Sequence, residues 1–243
     1  MPMLLIEGTY GVVGARPDGD SVRFTPGDPA QWDLVEGPHR GRRNSTGGAQ
    51  LRLDGIITSS APERTPGFIL TRGADIHGRC VALAGRGADP GTSGAPLHVD
   101  VALLGETANF RRLSQGVAYP TYYTKLFFEL REAMTEAVNA ARATRSGLWP
   151  ADVTTTGAKI DGLAAITDNA VLVPKLFRRL ADYLALGAGD PSLAGFRDYL
   201  DQRDDRVLVL STGQFTGLST LVDINDQVIA MTRPPEDLVF QEA

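Results

Sequence analysis

The sequence predicts an α+β protein with a mainly β N-terminal part, then helices, and then a smaller unit that mixes helices and strands. Three observations lead to this prediction. Short segments with alternating apolar and polar residues fill the N-terminal part, and apolar residues at helical spacing follow Pro120. The composition changes after Pro150, where a polar run of threonines begins, so we predict domains at residues 1–150 and 151–243.

The composition is that of a globular protein, with 42% hydrophobic residues, which is enough for a packed core. No apolar run approaches the roughly 18 residues that a membrane-spanning helix needs. The first residues lack the basic segment and the long apolar core of a signal peptide, so we expect a cytoplasmic protein without membrane contact. The single cysteine, Cys80, cannot form an internal disulfide, and its apolar strand predicts a small core residue.

The net charge of −5 is unevenly distributed along the chain. Residues 1–150 contain 16 Lys and Arg against 15 Asp and Glu, whereas residues 151–243 contain 8 against 14. A protein dedicated to nucleic-acid binding is usually basic, because neutralising the backbone phosphates drives its affinity. The charge therefore argues against tight DNA binding but is compatible with a nuclease that binds weakly.

The first predicted structure is a hairpin over residues 10–24, whose turn contains Asp18, Gly19 and Asp20. The turn places the two carboxylates together at one end of a strand. Because neighbouring carboxylates repel unless a cation lies between them, the pair is a candidate site for a hard metal ion with oxygen ligands. The alternative is an exposed turn without a ligand.

Two later strands carry one arginine each. Arg52 alternates with apolar residues in the segment 50–56, which places it opposite the apolar face of its strand. Arg79 stands at the entrance to a second apolar strand that runs to residue 84. Two arginines and an acidic turn could face one phosphate.

A basic, glycine-rich loop at residues 38–48 precedes the Arg52 strand. Its arginines, Arg40, Arg42 and Arg43, are candidate contacts for the phosphates of an oligonucleotide. The alternative is a solvated loop that contacts no ligand.

Helices are predicted after the strands, first over residues 106–114 and then from Tyr119 to about Arg145. The C-terminal unit has two predicted helices, at residues 174–186 and 192–202, and three predicted strands, at residues 206–210, 218–224 and 227–231. One face of the first of these helices is basic, which indicates a solvated face or an acidic partner rather than a nucleic-acid site. That face carries Lys175, Arg178 and Arg179.

Five of these segments occur in the order of the motifs of the staphylococcal nuclease family, and the chain resembles that family over about residues 5 to 150. The segments are the Asp18-Gly19-Asp20-Ser21 turn, the Leu51-Arg52-Leu53 strand, Gly78-Arg79, residues 108–119 and residues 140–149. The resemblance implies a five-stranded OB-like barrel followed by two helices. It also implies calcium-dependent hydrolysis of phosphodiester bonds in DNA or RNA.

Carried over residue by residue, the family's chemistry puts a calcium ion on Asp20, with Asp18 as a further candidate ligand. Arg52 and Arg79 would stabilise the negative charge of a five-coordinate phosphorus. A calcium-bound water would be the nucleophile, and a glutamate would orient or deprotonate it.

The sequence departs from the family at the position of that glutamate. Read without gaps from Arg52, the second metal aspartate is replaced by Ile57 and the glutamate by Ser60. A shift of the alignment would bring Glu63 into place as a substitute base, but it supplies no aspartate. The connection at residues 58–66 is also shorter than the roughly 10 to 12 residues of a packed helix, so we predict that a block of the family's structure is missing.

Without those carboxylates, calcium binding is expected to be weak or absent and hydrolysis to be impaired. The alternative is a catalytically inactive module on the same fold, which binds nucleic acid or another protein. An oligomer is compatible with either function.

Overall fold

The structure is a computed structural model that describes residues 1–11, 21–38, 43–53, 64–75, 77–187 and 190–241. It confirms the predicted α+β class. The chain forms two compact units, of which the first contains Met1–Pro120 and Lys125–Ala141 and the second contains Thr121–Thr124 and Arg142–Gln241. The predicted domain boundary at residue 150 stays a prediction. No helix in the described ranges is long and apolar enough to cross a membrane.

Five strands form a closed barrel: β1 (Pro2–Gly11), β2 (Ser21–Pro26), β3 (Ala49–Leu53), β4 (Thr65–Ala74) and β5 (Cys80–Arg86). Their order is β1-β2-β3-β5-β4, and β4 pairs with β1 to close the circle. β3 and β5 run parallel, whereas the other neighbouring strands are antiparallel. A further strand, β6 (Pro96–His98), extends the sheet beside β1. The expected OB-like mixed barrel is thus confirmed.

Every second side chain along the strands points into the barrel and fills its interior. Val22 and Phe24 on β2 and Leu51 on β3 are buried, whereas the residues between them face outward. Trp32, which follows β2 in a 3-10 helix, packs edge-on against Phe24 with their ring centroids 6.2 Å apart. The apolar sides of the strands and this tryptophan therefore form one continuous core.

The close approach of two strands requires glycine at one barrel position. A Cβ atom on Gly85 would lie 2.1 Å from the ring of Phe68, which is only 3% exposed. The Tyr10 hydroxyl donates to the Phe68 carbonyl at 2.5 Å. Because protein interiors are close-packed, this part of the barrel has no room for an added methyl group.

Three helices follow the barrel strands: α1 (Val101–Gly105), α2 (Ala108–Ser114) and α3 (Phe128–Ala143). The side chains of Asp100 and Thr107 cap α1 and α2 respectively. Asn109 on α2 accepts the backbone N–H of Ala84 at 2.8 Å and donates to the carbonyl of Ala82 at 3.4 Å. Asn109 thereby satisfies backbone groups of β5.

The second unit has two small sheets and two helices. Its elements are β7 (Tyr122–Tyr123), β8 (Ala158–Lys159), α4 (Pro174–Leu186), α5 (Phe196–Arg203), β9 (Arg206–Val209), β10 (Gln214–Gly217), β11 (Val222–Asn225), β12 (Val228–Met231) and β13 (Leu238–Phe240). One sheet has the order β10-β9-β13-β7 and the other the order β11-β12-β8. The prediction of α4 is confirmed over its full length. The predicted strand at residues 218–224 is wrong in its first half, where Leu218–Leu221 form a 3-10 helix.

The predicted helix from Tyr119 to about Arg145 is wrong at its start. Tyr122 and Tyr123 form β7, which pairs parallel with β13, and α3 begins only at Phe128. Tyr122 is 1% exposed, so its burial in a sheet overrides the local helical spacing.

Asp205 and Glu236 each form ion pairs with basic side chains of the second unit. The side chain of Asp205, which is 11% exposed, accepts from Lys175 Nζ at 2.7 Å and from Arg179 Nε at 2.6 Å. The acidic partner of Lys175 and Arg179 on α4 is thus a residue of the same chain. Glu236 forms a bidentate pair with Arg142.

Candidate functional site

Arg52 projects from the outer face of the barrel. Its neighbour Leu51 is fully buried, whereas Arg52 is partly exposed, as alternation along a strand requires. In the sheet, Arg52 lies between Ser21 on β2 and Val81 on β5. The structure therefore places Arg52 on the face that the sequence pattern predicted.

Arg79 is held by the carboxylate of Asp75. Arg79 Nε donates to Asp75 Oδ2 at 2.8 Å, and Nη2 lies 2.7 Å from the same oxygen. Asp75 Oδ1 accepts the backbone N–H groups of His77 and Arg79, each at 2.9 Å. Since Asp75 is only 6% exposed, a buried carboxylate fixes the position of a half-buried guanidinium.

The turn between β4 and β5 explains why Asp75 reaches Arg79. The backbone N–H of Asp75 donates to the Arg79 carbonyl, and the N–H of Gly78 donates to the Asp75 carbonyl, both at 2.9 Å. Gly78 has a φ of 73°, a left-handed conformation that glycine adopts without strain. Asp75 and Arg79 therefore face each other across a tight loop.

Arg79 directly precedes β5, the strand that pairs with the Arg52 strand β3. On the parallel pair of β3 and β5, Leu51 lies opposite Cys80 and Arg52 lies opposite Val81. One position back along both strands, Gln50 comes next to Arg79. Arg52 on β3 and Arg79 at the entrance to β5 therefore lie two positions apart along neighbouring strand paths, which are about 4.8 Å apart.

The predicted calcium ligands cannot be placed beside these arginines. The candidate metal ligands and the positions of the family's carboxylates all lie outside the described residues: Asp18, Asp20, Ile57, Ser60 and Glu63. Among the residues that the structure describes, no group of three or more His, Cys, Asp or Glu side chains could hold a metal ion. Asp75 already uses both carboxylate oxygens as acceptors. The described part of the site therefore supplies no calcium ligand set.

The loop arginines are only partly within the described residues. Arg40 and Arg42 lie outside them, and Arg43 forms an ion pair with Asp33. The backbone of Arg43 also makes a β-bridge with Ala49 at the start of β3. Because Asp33 pairs with this partly exposed guanidinium, Arg43 attracts a phosphate less strongly than an arginine without a neighbouring carboxylate would. The role of the loop arginines stays a prediction.

Cys80, directly after Arg79, is a core residue and not a nucleophile. The thiol is 3% exposed and donates to Thr71 Oγ1 at 3.2 Å. Burial raises the pKa of the Cys80 thiol to about 12. The thiolate that would be reactive is therefore scarce at neutral pH.

The sequence reasoning missed Asp75. The sequence feature that could have predicted it is an aspartate four residues before Arg79, with Gly78 between them. Aspartate side chains commonly accept hydrogen bonds from the backbone of a tight turn. Its contacts make Asp75 a positioning residue for Arg79.

A comparison of the chain with models of known protein families gives no match, and a comparison with curated proteins gives none either. The resemblance to staphylococcal nuclease therefore rests on the motifs described above and on the barrel.

Proposed function

We propose that the barrel binds the phosphodiester backbone of single-stranded nucleic acid through Arg52 and Arg79, and that calcium-dependent hydrolysis of DNA or RNA is strongly impaired. The observation that supports this proposal is that Arg52 on β3 lies beside β5, and that a buried carboxylate fixes Arg79 directly before β5. Guanidinium groups match phosphate oxygens in both geometry and charge, so paired arginines favour a phosphodiester ligand.

Arg79 keeps a donor group for such a ligand. Among the contacts of the described residues, Asp75 takes Nε and Nη2 and leaves Nη1 for a phosphate oxygen. Because Asp75 orients the guanidinium before a ligand arrives, less side-chain entropy is lost on binding. The net charge of −5 repels a polyanion, so we expect weak rather than tight affinity.

We expect impaired hydrolysis because this chain has Ile57 and Ser60 at the two positions where the family has carboxylates. Calcium takes about six to eight oxygen ligands, and Ile57 supplies none. Ser60 cannot serve as the general base, whose loss typically lowers a rate by a factor of about 10² to 10⁴. Binding by the arginines does not depend on either position.

Fluorescence anisotropy with a labelled single-stranded DNA tests the binding. Arg52→Gln and Arg79→Gln should each weaken the affinity by about 10-fold or more, since a hydrogen bond to a charged group contributes about 1.5–3 kcal/mol. Arg111→Gln is the matched control, because Arg111 is exposed on α2 and pairs with Glu106. An equal, small loss in all three variants would mean that only the overall charge matters and would refute the proposed site.

A calcium-dependent cleavage assay on single-stranded DNA tests the impairment. The double variant Ile57→Asp, Ser60→Glu should cut faster than the parent, because it restores both carboxylates of the family pattern. Glu63→Gln is the second comparison. If the parent already cuts efficiently and loses that activity in Glu63→Gln, then Glu63 is the base and the proposed impairment is wrong.

A further inference from the structure

Arg23 and Gln50 lie opposite each other on β2 and β3, and Arg79 directly precedes the next strand, β5. On β2 it stands between Val22 and Phe24, which are both buried, so Arg23 faces outward and is partly exposed. Arg23 is directly opposite Gln50 on β3. On β3 and β5, Leu51 lies opposite Cys80. One position earlier along both segments, the same register brings Gln50 next to Arg79.

These strands carry positive charge in an acidic protein. The sequences of β2, β3 and β5 contain arginines but no aspartate or glutamate, whereas the whole chain has a net charge of −5. The buried carboxylate next to this face, Asp75, is paired with Arg79. The described residues of this region, Arg23, Arg52 and Arg79 with Asp75, therefore carry more positive than negative charge, which favours an anion.

The separation of Arg23 and Arg79 exceeds the reach of one phosphate group. Two strand spacings separate Arg23 from Arg79, which corresponds to about 9.5 Å between their Cα atoms. Side chains stand roughly perpendicular to a sheet, and the outer surface of a barrel is convex, so the two guanidinium groups diverge instead of converging. Phosphate oxygens must come within about 3 Å of each donor, so different phosphates fit Arg23 and Arg79 better than a single one.

We propose that Arg23 contacts a second phosphate of the bound strand, so that the ligand is a polynucleotide and not a single phosphate group or a mononucleotide. This inference rests on the proposed function of Arg52 and Arg79. In the sheet, Gln50 lies opposite Arg23 and thus between the two proposed phosphate contacts.

The test measures the affinity for a labelled oligothymidylate of about 12 nucleotides, a length within the range that one OB barrel covers, over a series of salt concentrations. The logarithm of the binding constant falls with the logarithm of salt by about 0.7 per phosphate neutralised on a single strand. Arg23→Gln should weaken binding by about 10-fold and reduce this slope by about 0.7. Arg23→Lys keeps the charge and should retain the slope, and Arg111→Gln should match the wild type. Melting temperatures identify any variant that is not folded.

Several outcomes would overturn the inference. A weaker affinity at an unchanged slope would place Arg23 on the same phosphate as Arg52 and Arg79. If Arg52→Gln weakens binding but Arg23→Gln matches the Arg111→Gln control, the inference fails and the proposed function stands. If the wild type does not bind the oligonucleotide, both fail. Equal displacement of the oligonucleotide by polyglutamate would show a surface for acidic proteins and would also overturn the inference.

Discussion

Asp75 contacts Arg79 through both the side chain and the backbone. Arg79 Nε donates to Asp75 Oδ2 at 2.8 Å, and the Arg79 backbone N–H donates to Asp75 Oδ1 at 2.9 Å. The Asp75 N–H donates in turn to the Arg79 carbonyl. The arginine is thus fixed at its backbone and at its guanidinium, which a salt bridge between two side chains alone would not achieve.

The first prediction concerns the variant Asp75→Asn. Removing a negative charge next to Arg79 would strengthen phosphate binding if charge alone mattered. We expect the opposite, a loss of about 2-fold to 10-fold in affinity for single-stranded DNA, because the guanidinium loses its fixed orientation. Fluorescence anisotropy measures the affinity. Glu106→Gln, which removes an exposed carboxylate from a pair with Arg111, is the control and should not lower it. Tighter binding by Asp75→Asn would contradict the positioning role.

The second prediction concerns packing at Gly85. Gly85→Ala should lower the free energy of unfolding by about 1–3 kcal/mol, because the added methyl group overlaps the ring of Phe68. Chemical denaturation measures this change. Gly105→Ala on α1 is the matched control, since a Cβ there meets nothing within 4 Å. The double variant Gly85→Ala, Phe68→Leu should recover part of the loss. A fully stable Gly85→Ala would show that the barrel is looser than described.

The third prediction concerns pH and the second unit. Burial opposes ionisation of Asp205, but the hydrogen bond from Arg179 and the charge of Lys175 outweigh it, so the pKa of Asp205 lies below its ordinary value. A lowered native pKa stabilises the fold above the ordinary carboxyl pKa of about 3.9, and this contribution is lost as the pH falls through the native pKa.

Asp205→Asn should therefore reduce the free energy of unfolding at neutral pH by about 2–4 kcal/mol, because it removes the carboxylate charge that two partly buried cations share. The gap to the wild type should close under acid conditions. Denaturation curves at neutral and acid pH measure both effects. Asp182→Asn, which changes a half-exposed carboxylate 3.9 Å from Arg179, should alter stability by less than about 0.5 kcal/mol. A gap that stays constant with pH would rule out the ion pair as its cause.

The fourth prediction concerns the reactivity of Cys80. Its thiol is 3% exposed and its pKa is raised to about 12 by burial, so the native protein should not react with a thiol reagent such as Ellman's at mildly alkaline pH. In denaturant one thiol per chain should react, because the sequence contains 1 cysteine. Absorbance of the released thiolate follows the reaction. Rapid, complete labelling of the native protein would disprove the buried position.

The sequence predicted features that depend on local patterns. Alternation around Arg52 placed it on the outer face, and the helix predicted at residues 174–186 is α4. Both predictions depend on the spacing of apolar residues within a single strand or helix, which residues close in sequence determine.

Features that depend on pairing between distant segments could not be predicted in this way. Tyr122 and Tyr123 fit a helical pattern, but their strand exists because β13 lies beside it. The position of Gln50 next to Arg79 requires the parallel register of β3 and β5. Tertiary contacts determine which segments pair, so the strand propensity of a segment predicts its partner poorly.

The pairing of β7 with β13 affects the order in which the protein folds during synthesis. Chains leave the ribosome from the N-terminus, and the last barrel strand ends at Arg86, whereas the sheet that contains β7 is complete only when Phe240 has emerged. Until then, β9 lacks β13 and presents an open strand edge, the kind of surface that promotes aggregation. A chain shortened before Leu238 would therefore leave this edge of β9 without its partner strand.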